Sequence, residues 1–347
     1  MSLKLIYPNT NCSETFFLLG PKSNENSYNP VWDLVRSLYT IIRNFLTPEQ
    51  QFLLGPLPDS RNPFHHASLV PEEGQTNLYC RWVVALDKKD GRTFISVYQQ
   101  ITQTLRDCSS TGYLNASVGI FPQALTGIPP TVAIRIMDES YQRTIPPYMA
   151  AIQDYTAFSS SVYGEITPIA LAEMFQLTGL GATSLFVDIG SGVANAVCQA
   201  SVQTGCESYG IEIEHAPAAA AVALVSNVKT RCLMWSTRVG KITVEYGDAR
   251  TSTELREVRI PKADVVLVNN RIFDAKLNLR LGELLQNLKD GALVISSVPF
   301  GTSMHASTRV PRTELPWCIT HHVYSDDGNS WNGKAEGYYI GRVNKVL

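Results

Sequence analysis

A glycine turn near the middle of the chain has one acidic side chain just before it and another twenty positions after it. The turn contains Gly190, Ser191 and Gly192, and its glycines let the backbone turn sharply and come close to a ligand. Asp188 precedes the turn inside an apolar run, and Glu212 lies twenty positions after Gly192. An acid at that distance, at the tip of the next strand, reaches a ribose diol. The spacing therefore predicts a nucleoside-binding site.

The segments around this turn predict a strand, a helix and a second strand. Residues 185–189 form a short, almost wholly apolar run, which is typical of a strand covered on both faces in a parallel sheet. Val193, Val197 and Ala200 recur at helical spacing, so the helix begins at the glycines. Its N-terminal amides and positive dipole end face the place where a ligand carboxylate or phosphate would bind. Residues 208–213 predict the second strand.

The turn sequence favours one of two cofactor classes that use this geometry. A dinucleotide site has a third glycine that lets the helix pack beside the pyrophosphate, whereas residues 190–195 read Gly-Ser-Gly-Val-Ala-Asn. S-adenosylmethionine has no phosphate, and two glycines with two acids can bind its charged amino-acid end and its ribose. We therefore expect a methyl donor rather than a nicotinamide or a flavin. A doubly wound domain without a cofactor would explain the glycines but not the two acids.

Composition limits the class of protein. The chain has 347 residues, 44% of them hydrophobic, which is enough for two domains or for one large and one small domain. The net charge of −2 argues against a simple nucleic-acid binder. No run is long and apolar enough to span a membrane, and the start lacks the features of a secretory signal. Seven scattered cysteines without a ligand cluster predict a reducing compartment and no metal site.

The first 150 residues predict an N-terminal accessory region of mixed structure and unknown role. Apolar residues at helical spacing predict an amphipathic helix at 31–46. Residues 79–86 and 92–98 flank a polar turn and predict a β-hairpin. Paired prolines and a serine cluster near residue 150 predict a connection. We therefore place the cofactor-binding domain at residues 151–347.

The second half of the chain predicts a complete α/β sheet. Thr167 with Pro168 starts one helix, and Asp274 starts another, whose leucines form a single apolar stripe. Further strands are predicted at 241–246, 264–268, 292–297, 317–324 and 337–343. The order of elements is that of a seven-stranded, Rossmann-like class I methyltransferase sheet. The predicted fold class is therefore α/β, with the smaller mixed region preceding this sheet.

Two of the predicted strands end in polar residues. Gly247 and Asp248 follow one strand, and a carboxylate there can accept a hydrogen bond from an adenine amino group. Asn269 and Asn270 follow the next strand, at the end where ligands of such sheets bind. A structural turn would more often use Asn-Gly. We therefore expect both amides to face the ligand crevice.

Seven separated motifs occur in a fixed order along the chain. They are Tyr163-Gly164-Glu165, Asp188 to Val193, Glu212, Gly247-Asp248, Val268-Asn269-Asn270 with Phe273, Ser296-Ser297 with Pro299-Phe300, and Ser330-Trp331 with Tyr338-Tyr339. Together they resemble the disruptor-of-telomeric-silencing family, which are nucleosomal histone lysine methyltransferases without the SET fold. The resemblance covers about residues 150–343. It implies a nuclear chromatin regulator that transfers methyl groups from S-adenosylmethionine to a lysine on the folded core of a nucleosomal histone.

The resemblance also implies a role for each matched residue. The implied donor-binding residues are Tyr163, Glu165 and Thr167 in a covering loop, Asp188, Gly190, Ser191 and Gly192 at the methionine end, Glu212 at the ribose, Asp248 at the adenine, and Asn269 beside the methyl group. The implied walls of the lysine channel are Phe273, Ser297, Trp331 and Tyr338. Asn269 and Tyr338 are the implied catalytic residues. The implied partner is the nucleosome, contact with its DNA and the oligomeric state stay open, and neither a membrane nor a metal is expected.

Two residues depart from the family pattern. Ala194 stands where the family usually has another glycine, and Ala249 stands where an aromatic residue commonly packs near the adenine. A methyl group at position 194 is tolerated if the backbone there is helical. The sequence also lacks the lysine-rich segment on which family members rely for nucleosome affinity. Two alternatives therefore stay open: a weakly active or inactive cofactor-binding chromatin module, and an enzyme acting on another protein or a small molecule.

Overall fold

The chain divides into two compact units. The computed structural model describes residues 1–9, 11–18, 28–55, 57, 77–110, 127–156, 165–300, 317–324 and 337–345. The first unit is Met1–Gln123 with Arg231–Thr237, and the second is Ala124–Thr230 with Arg238–Leu347. The boundary predicted near residue 150 separates an accessory region from a cofactor-binding domain. This functional division stays a prediction.

The described part of the first unit contains a two-stranded sheet and four helices. Strands β1 (Ser2–Ile6) and β2 (Ser13–Phe17) pair in antiparallel orientation. The helices are α1 (Pro30–Phe45), α2 (Pro48–Leu54), α3 (Leu78–Asp87) and α4 (Gly91–Ser110). The α1 helix starts where the Asn29 side chain accepts hydrogen bonds from two backbone N–H groups. It confirms the helix predicted at 31–46.

The β-hairpin predicted in this unit is wrong, because residues 79–86 and 92–98 are helical. Asn77 caps the start of α3 by accepting a backbone hydrogen bond. Buried apolar side chains recur at helical spacing in α3 and α4: Tyr79, Trp82, Val83, Phe94, Val97, Tyr98 and Ile101. The rings of Trp82 and Phe94 stack with their centroids 5.0 Å apart. Packing between two helices therefore decides a structure that two short apolar runs leave ambiguous.

The second unit is built on a seven-stranded sheet. Its strands are β3 (Leu185–Ile189), β4 (Glu207–Glu212), β5 (Ile242–Tyr246), β6 (Val265–Val268), β7 (Leu293–Ser296), β8 (Trp317–Val323) and β9 (Gly337–Val343). The spatial order is β5-β4-β3-β6-β7-β9-β8. The strands from β5 to β7 pair in parallel, and β9 runs antiparallel to both of its neighbours. This sheet confirms the predicted α/β fold class.

Helices connect the strands of this unit. They are α5 (Pro130–Thr144), α6 (Met149–Thr156), α7 (Pro168–Leu177), α8 (Asn195–Thr204), α9 (His215–Met234) and α10 (Ala275–Leu285), with short helical turns at Pro146–Tyr148, Glu254–Arg259 and Ile260–Lys262. The last turn of α9 belongs to the first unit. No helix in the described part of the chain has the length and apolar character needed to cross a membrane.

Apolar side chains cover both faces of the sheet. In β3, Phe186 belongs to one buried cluster, whereas Val187 and Ile189 belong to another. Successive side chains of a strand point to opposite faces, so the two clusters lie on opposite sides of the sheet. The first cluster includes residues of α7 and α8, and the second includes Leu281 and Leu285 from the leucine stripe of α10. The helices packed on the two faces hold the strands in place, and the polar residues lie at the ends of these strands.

Candidate active site

A cavity of about 1140 Å³ lies at the carboxyl ends of the parallel strands. The strand order reverses between β3 and β6, and open parallel sheets bind ligands at such a point. Ten predicted site residues line the cavity: Glu165, Asp188, Gly190, Ser191, Gly192, Glu212, Asp248, Asn269, Phe273 and Ser297. Thr167 and Tyr338 do not line it. Tyr163 and Trp331 lie outside the described residues.

The glycine turn after β3 is held against β4. The backbone N–H groups of Gly190 and Ser191 both donate to the carbonyl oxygen of Ile211, at 2.9 and 3.0 Å. Gly190 has a φ of 80°, a left-handed conformation that favours glycine. A Cβ atom at this position would also meet the ring of Phe273 at 3.3 Å. Position 190 therefore needs glycine both for its backbone angle and for the aromatic ring packed on it.

Glu212 joins the glycine turn to the end of β4. One oxygen of its carboxylate accepts from the N–H of Gly192 at 2.8 Å, and the other accepts from the N–H of Glu214 at 2.8 Å. The side chain is 8% exposed, and burial raises the pKa of Glu212 although these backbone N–H groups lower it in part. A carboxylate has about four acceptor positions, so Glu212 retains the capacity to bind ligand hydroxyl groups.

Asp188 is a buried carboxyl group at the end of β3. It is 5% exposed, and no hydrogen-bond donor reaches its side chain from the described residues. Burial raises the pKa of Asp188 to about 8, and the negative charge of Glu212 adds to the shift. A cation beside the carboxyl group would favour its ionised form. Asp188 and Glu212 together therefore fit a ligand that carries a cationic group and hydroxyl groups.

Neighbouring amides at the end of β6 have different environments. Asn269 lines the cavity, and its side-chain oxygen accepts from the Ser297 hydroxyl at 2.5 Å. Asn270 is 1% exposed, donates to the Asn278 side chain at 2.8 Å and the Val298 carbonyl at 3.0 Å, and accepts from the Val298 N–H at 2.9 Å. The expectation that both amides face the crevice is therefore wrong. Asn270 ties together the loops after β6 and β7, which position Asn269 and Ser297.

Asp248 follows β5 and is held by an arginine that the sequence reasoning did not foresee. The Nε of Arg250 donates to both carboxylate oxygens at 2.9 Å, and its Nη2 donates to Oδ2 at 2.6 Å. The backbone N–H of Arg250 donates to Oδ1 at 2.8 Å. These hydrogen bonds lower the pKa of Asp248. The only signal in the sequence was a basic residue two positions after the acid.

Sequence comparison places this site in a known family. Residues 141–343 match the family described as "Histone methylation protein DOT1". The chain belongs to this family. An H3 lysine-79 specific histone-lysine N-methyltransferase of Mycosarcoma maydis is 35% identical over 266 residues, which cover 76% of this chain and 33% of the relative. The same enzyme of Cryptococcus neoformans var. neoformans serotype D is 27% identical over 407 residues, which cover 99% of this chain and 62% of the relative.

The chain spans less than two thirds of the length of these DOT1-family relatives. Among solved structures, an O-methyltransferase from Bacillus cereus aligns with 58% of the chain at 13% identity and a TM-score of 0.40. That value is too low to add an argument. Membership of the DOT1 family therefore rests on the sequence match.

Ala194, the residue expected to depart from the DOT1 pattern, has a conformational cost. Ala194 is fully buried and has a φ of 68° and a ψ of 30°, so it adopts the left-handed conformation at the N-cap of α8. The backbone there is not helical, and the stated condition for tolerating alanine is not met. For an L-residue this conformation costs about 1–2 kcal/mol. The glycine usual in the family would avoid this cost.

Tyr338 and Thr167, whose roles are implied by the DOT1 resemblance, do not line the cavity and make structural contacts. Tyr338 is 2% exposed, stacks on His322 with ring centroids 5.3 Å apart, and contacts the ring of Tyr324 at 5.1 Å. Tyr324 itself lines the cavity. Thr167 caps α7 by accepting from the N–H of Ala170 at 3.3 Å. The functional roles given to Tyr338 and Thr167 stay predictions.

Proposed function

We propose that this chain is the catalytic part of a histone lysine N-methyltransferase that uses S-adenosylmethionine. The observation that carries the proposal is the buried carboxyl group of Asp188, which accepts no hydrogen bond from the described residues and lies with Glu212 and Asn269 in the lining of one cavity. A nicotinamide or flavin dinucleotide would need a pyrophosphate site, and the carboxylate forms of Asp188 and Glu212 would repel its phosphate groups. Membership of the DOT1 family supports the same reaction class.

The residues of the cavity fit the parts of the methyl donor. S-adenosylmethionine, when bound, supplies an electrophilic methyl group on a cationic sulfur. Asp188 pairs with the cationic amino group of the methionine end, and Glu212 accepts from the ribose hydroxyls. Asp248 accepts from the adenine amino group. Asn269, held by Ser297, lies where the strand ends converge and positions the donor next to the lysine channel.

The chain assists methyl transfer by desolvation and positioning. A free lysine amine has a pKa of about 10.4, so it is charged in water and cannot attack. Aromatic walls such as Phe273 disfavour the ammonium form. Asn269 and Ser297 are neutral groups bonded to each other and provide no carboxylate base. The lysine proton therefore leaves to water before transfer, and holding the two reactants in line supplies most of the rate gain.

The proposed substrate is a lysine on the folded core of a nucleosomal histone. The relatives carry the name H3 lysine-79 specific, and we propose the same lysine and a nuclear location for this protein. A folded surface presents the lysine together with its neighbours, whereas a free peptide does not. With a net charge of −2, binding should be weaker and less dependent on salt than for a relative with a basic tail.

Transfer of a labelled methyl group tests the proposal. We expect activity on nucleosomes and little activity on free histone H3 or on an H3 peptide. Asn269→Ala should abolish methylation with an unchanged melting temperature, and Asn287→Ala, an exposed asparagine, serves as the control. Equal rates on peptide and nucleosome would contradict the proposed substrate. Donor binding without methylation of any substrate would favour the alternative of a cofactor-binding chromatin module.

A further inference from the structure

Both oxygens of the Asp248 carboxylate already accept hydrogen bonds from Arg250. A carboxylate offers about four lone-pair sites, two on each oxygen. The backbone N–H of Arg250 donates to Oδ1, its Nη2 donates to Oδ2, and its single Nε–H is shared between the two oxygens. Arg250 therefore supplies three N–H groups to the residue proposed to accept from the adenine amino group. The amino group must compete with the guanidinium for this carboxylate.

The guanidinium of Arg250 can move away from this carboxylate. Its side chain is 53% exposed and lines the same cavity as Asp248. Ion pairs with an exposed guanidinium are weak, because water solvates the cation when the pair is broken. Asp274 also lines the cavity, and its negative charge acts on Arg250 as well. Arg250 therefore has a second acidic neighbour when it leaves Asp248.

A base with a carbonyl oxygen in place of the amino group needs a hydrogen-bond donor rather than an acceptor. Such an oxygen is an acceptor, so the carboxylate of Asp248 would repel it. The guanidinium of Arg250 has five N–H donors and can share one with the carbonyl oxygen while it stays paired with Asp248. The Arg250–Asp248 pair must open, with the guanidinium withdrawing from the carboxylate, when an amino-bearing base binds. It can stay closed when a carbonyl-bearing base binds.

We propose that Arg250 sets the base selectivity of the donor site by competing with the adenine amino group for Asp248. The proposal rests on the proposed function, because it requires that the cavity binds the adenosyl group of the methyl donor. Arg250 weakens the binding of adenine and supports the binding of hypoxanthine. Asp248 and Arg250 therefore act as one unit with two states, and the amino group selects the open state.

Two ligands that differ at the C6 group of the base, and in the proton that hypoxanthine carries on N1, test the proposal. S-adenosylhomocysteine carries the amino group, and S-inosylhomocysteine carries a carbonyl oxygen in its place. Calorimetry should show that Arg250→Ala binds S-adenosylhomocysteine about threefold more tightly than the wild type, the size expected for loss of an exposed competing pair. The same variant should bind S-inosylhomocysteine about threefold more weakly, because a donor is lost.

Matched variants separate the proposal from simpler explanations. Arg250→Met keeps the length of the side chain without its donors and should behave like Arg250→Ala. Arg256→Ala removes another cavity-lining arginine, one paired with Glu257, and should leave both affinities unchanged. Parallel changes for both ligands, or no change for either, would overturn the role of Arg250. A wild-type protein that binds neither ligand would instead refute the proposed function, and this inference with it.

Discussion

Binding of a cationic methyl donor should release a proton from Asp188. The pKa of this buried carboxyl group is about 8 in the ligand-free protein, so about nine in ten molecules are protonated there at pH 7. The cationic amino group of the donor requires the ionised form, because only that form attracts it. Binding at pH 7 therefore releases about 0.9 proton from this site.

The same titration sets the pH dependence of the affinity. Only about 1% of the ligand-free protein carries ionised Asp188 at pH 6, and about half carries it at pH 8. If the bound state is ionised throughout, the association constant rises about fiftyfold between these two pH values. Above the pKa of Asp188 the carboxyl group is ionised before binding, and its contribution to the pH dependence disappears.

Calorimetry in buffers of different ionisation enthalpy measures the released proton directly. The observed enthalpy at pH 7 should depend on the buffer with a slope near one proton for the wild type. Asp188→Asn cannot titrate, so its slope should fall close to zero and its affinity should be low and nearly independent of pH. A wild-type enthalpy that is the same in every buffer would refute the reasoning about Asp188.

The raised pKa of Asp188 also affects the stability of the ligand-free protein. The folded state holds the proton up to about pH 8, whereas the unfolded state loses it near its ordinary value of about 4. The folded state binds more protons in this interval, so this group makes the free energy of unfolding fall as the pH rises from about 4 to 8. Asp188→Asn should therefore melt at a higher temperature than the wild type at pH 8, with a smaller difference at pH 5.

Three further substitutions test the remaining features of the site. Ala194→Gly should be neutral or stabilising, whereas Ala196→Gly in the regular part of α8 should destabilise the protein. Denaturant unfolding should separate the free energies of unfolding of the two variants by about 1–2 kcal/mol. Equal effects would contradict the strain assigned to the left-handed backbone of Ala194. Asn270→Ala leaves buried groups of the loops after β6 and β7 unpaired and should lower the free energy of unfolding by about 2–4 kcal/mol, and a variant as stable as the wild type would remove its positioning role. Glu212→Ala should weaken calorimetric binding of S-adenosylmethionine by about 1.5–3 kcal/mol and lower the melting temperature; unchanged affinity would exclude the ribose assignment.

Local patterns in the sequence determined the sheet and the position of the cavity. The run at 185–189, the glycines after it and Glu212 predict a strand, a turn and a second strand whose ends meet, and the structure has all three. Such patterns succeed because strand burial and glycine turns depend on residues close together in sequence. The helices α3 and α4 were missed for a related reason. Their apolar runs are short, and the packing that selects helix lies between the two segments.

Only the tertiary structure decided the chemical state of the site. The pKa of Asp188 depends on how completely the surrounding layers exclude water, and no motif encodes that quantity. The hydrogen bond of Asn269 joins residues 28 positions apart, and only the parallel register of β6 and β7 brings them together. The left-handed backbone of Ala194 follows from the way the turn meets the start of α8. Sequence patterns fix which groups reach the strand ends, whereas solvation, register and backbone strain arise from distant parts of the chain packing together.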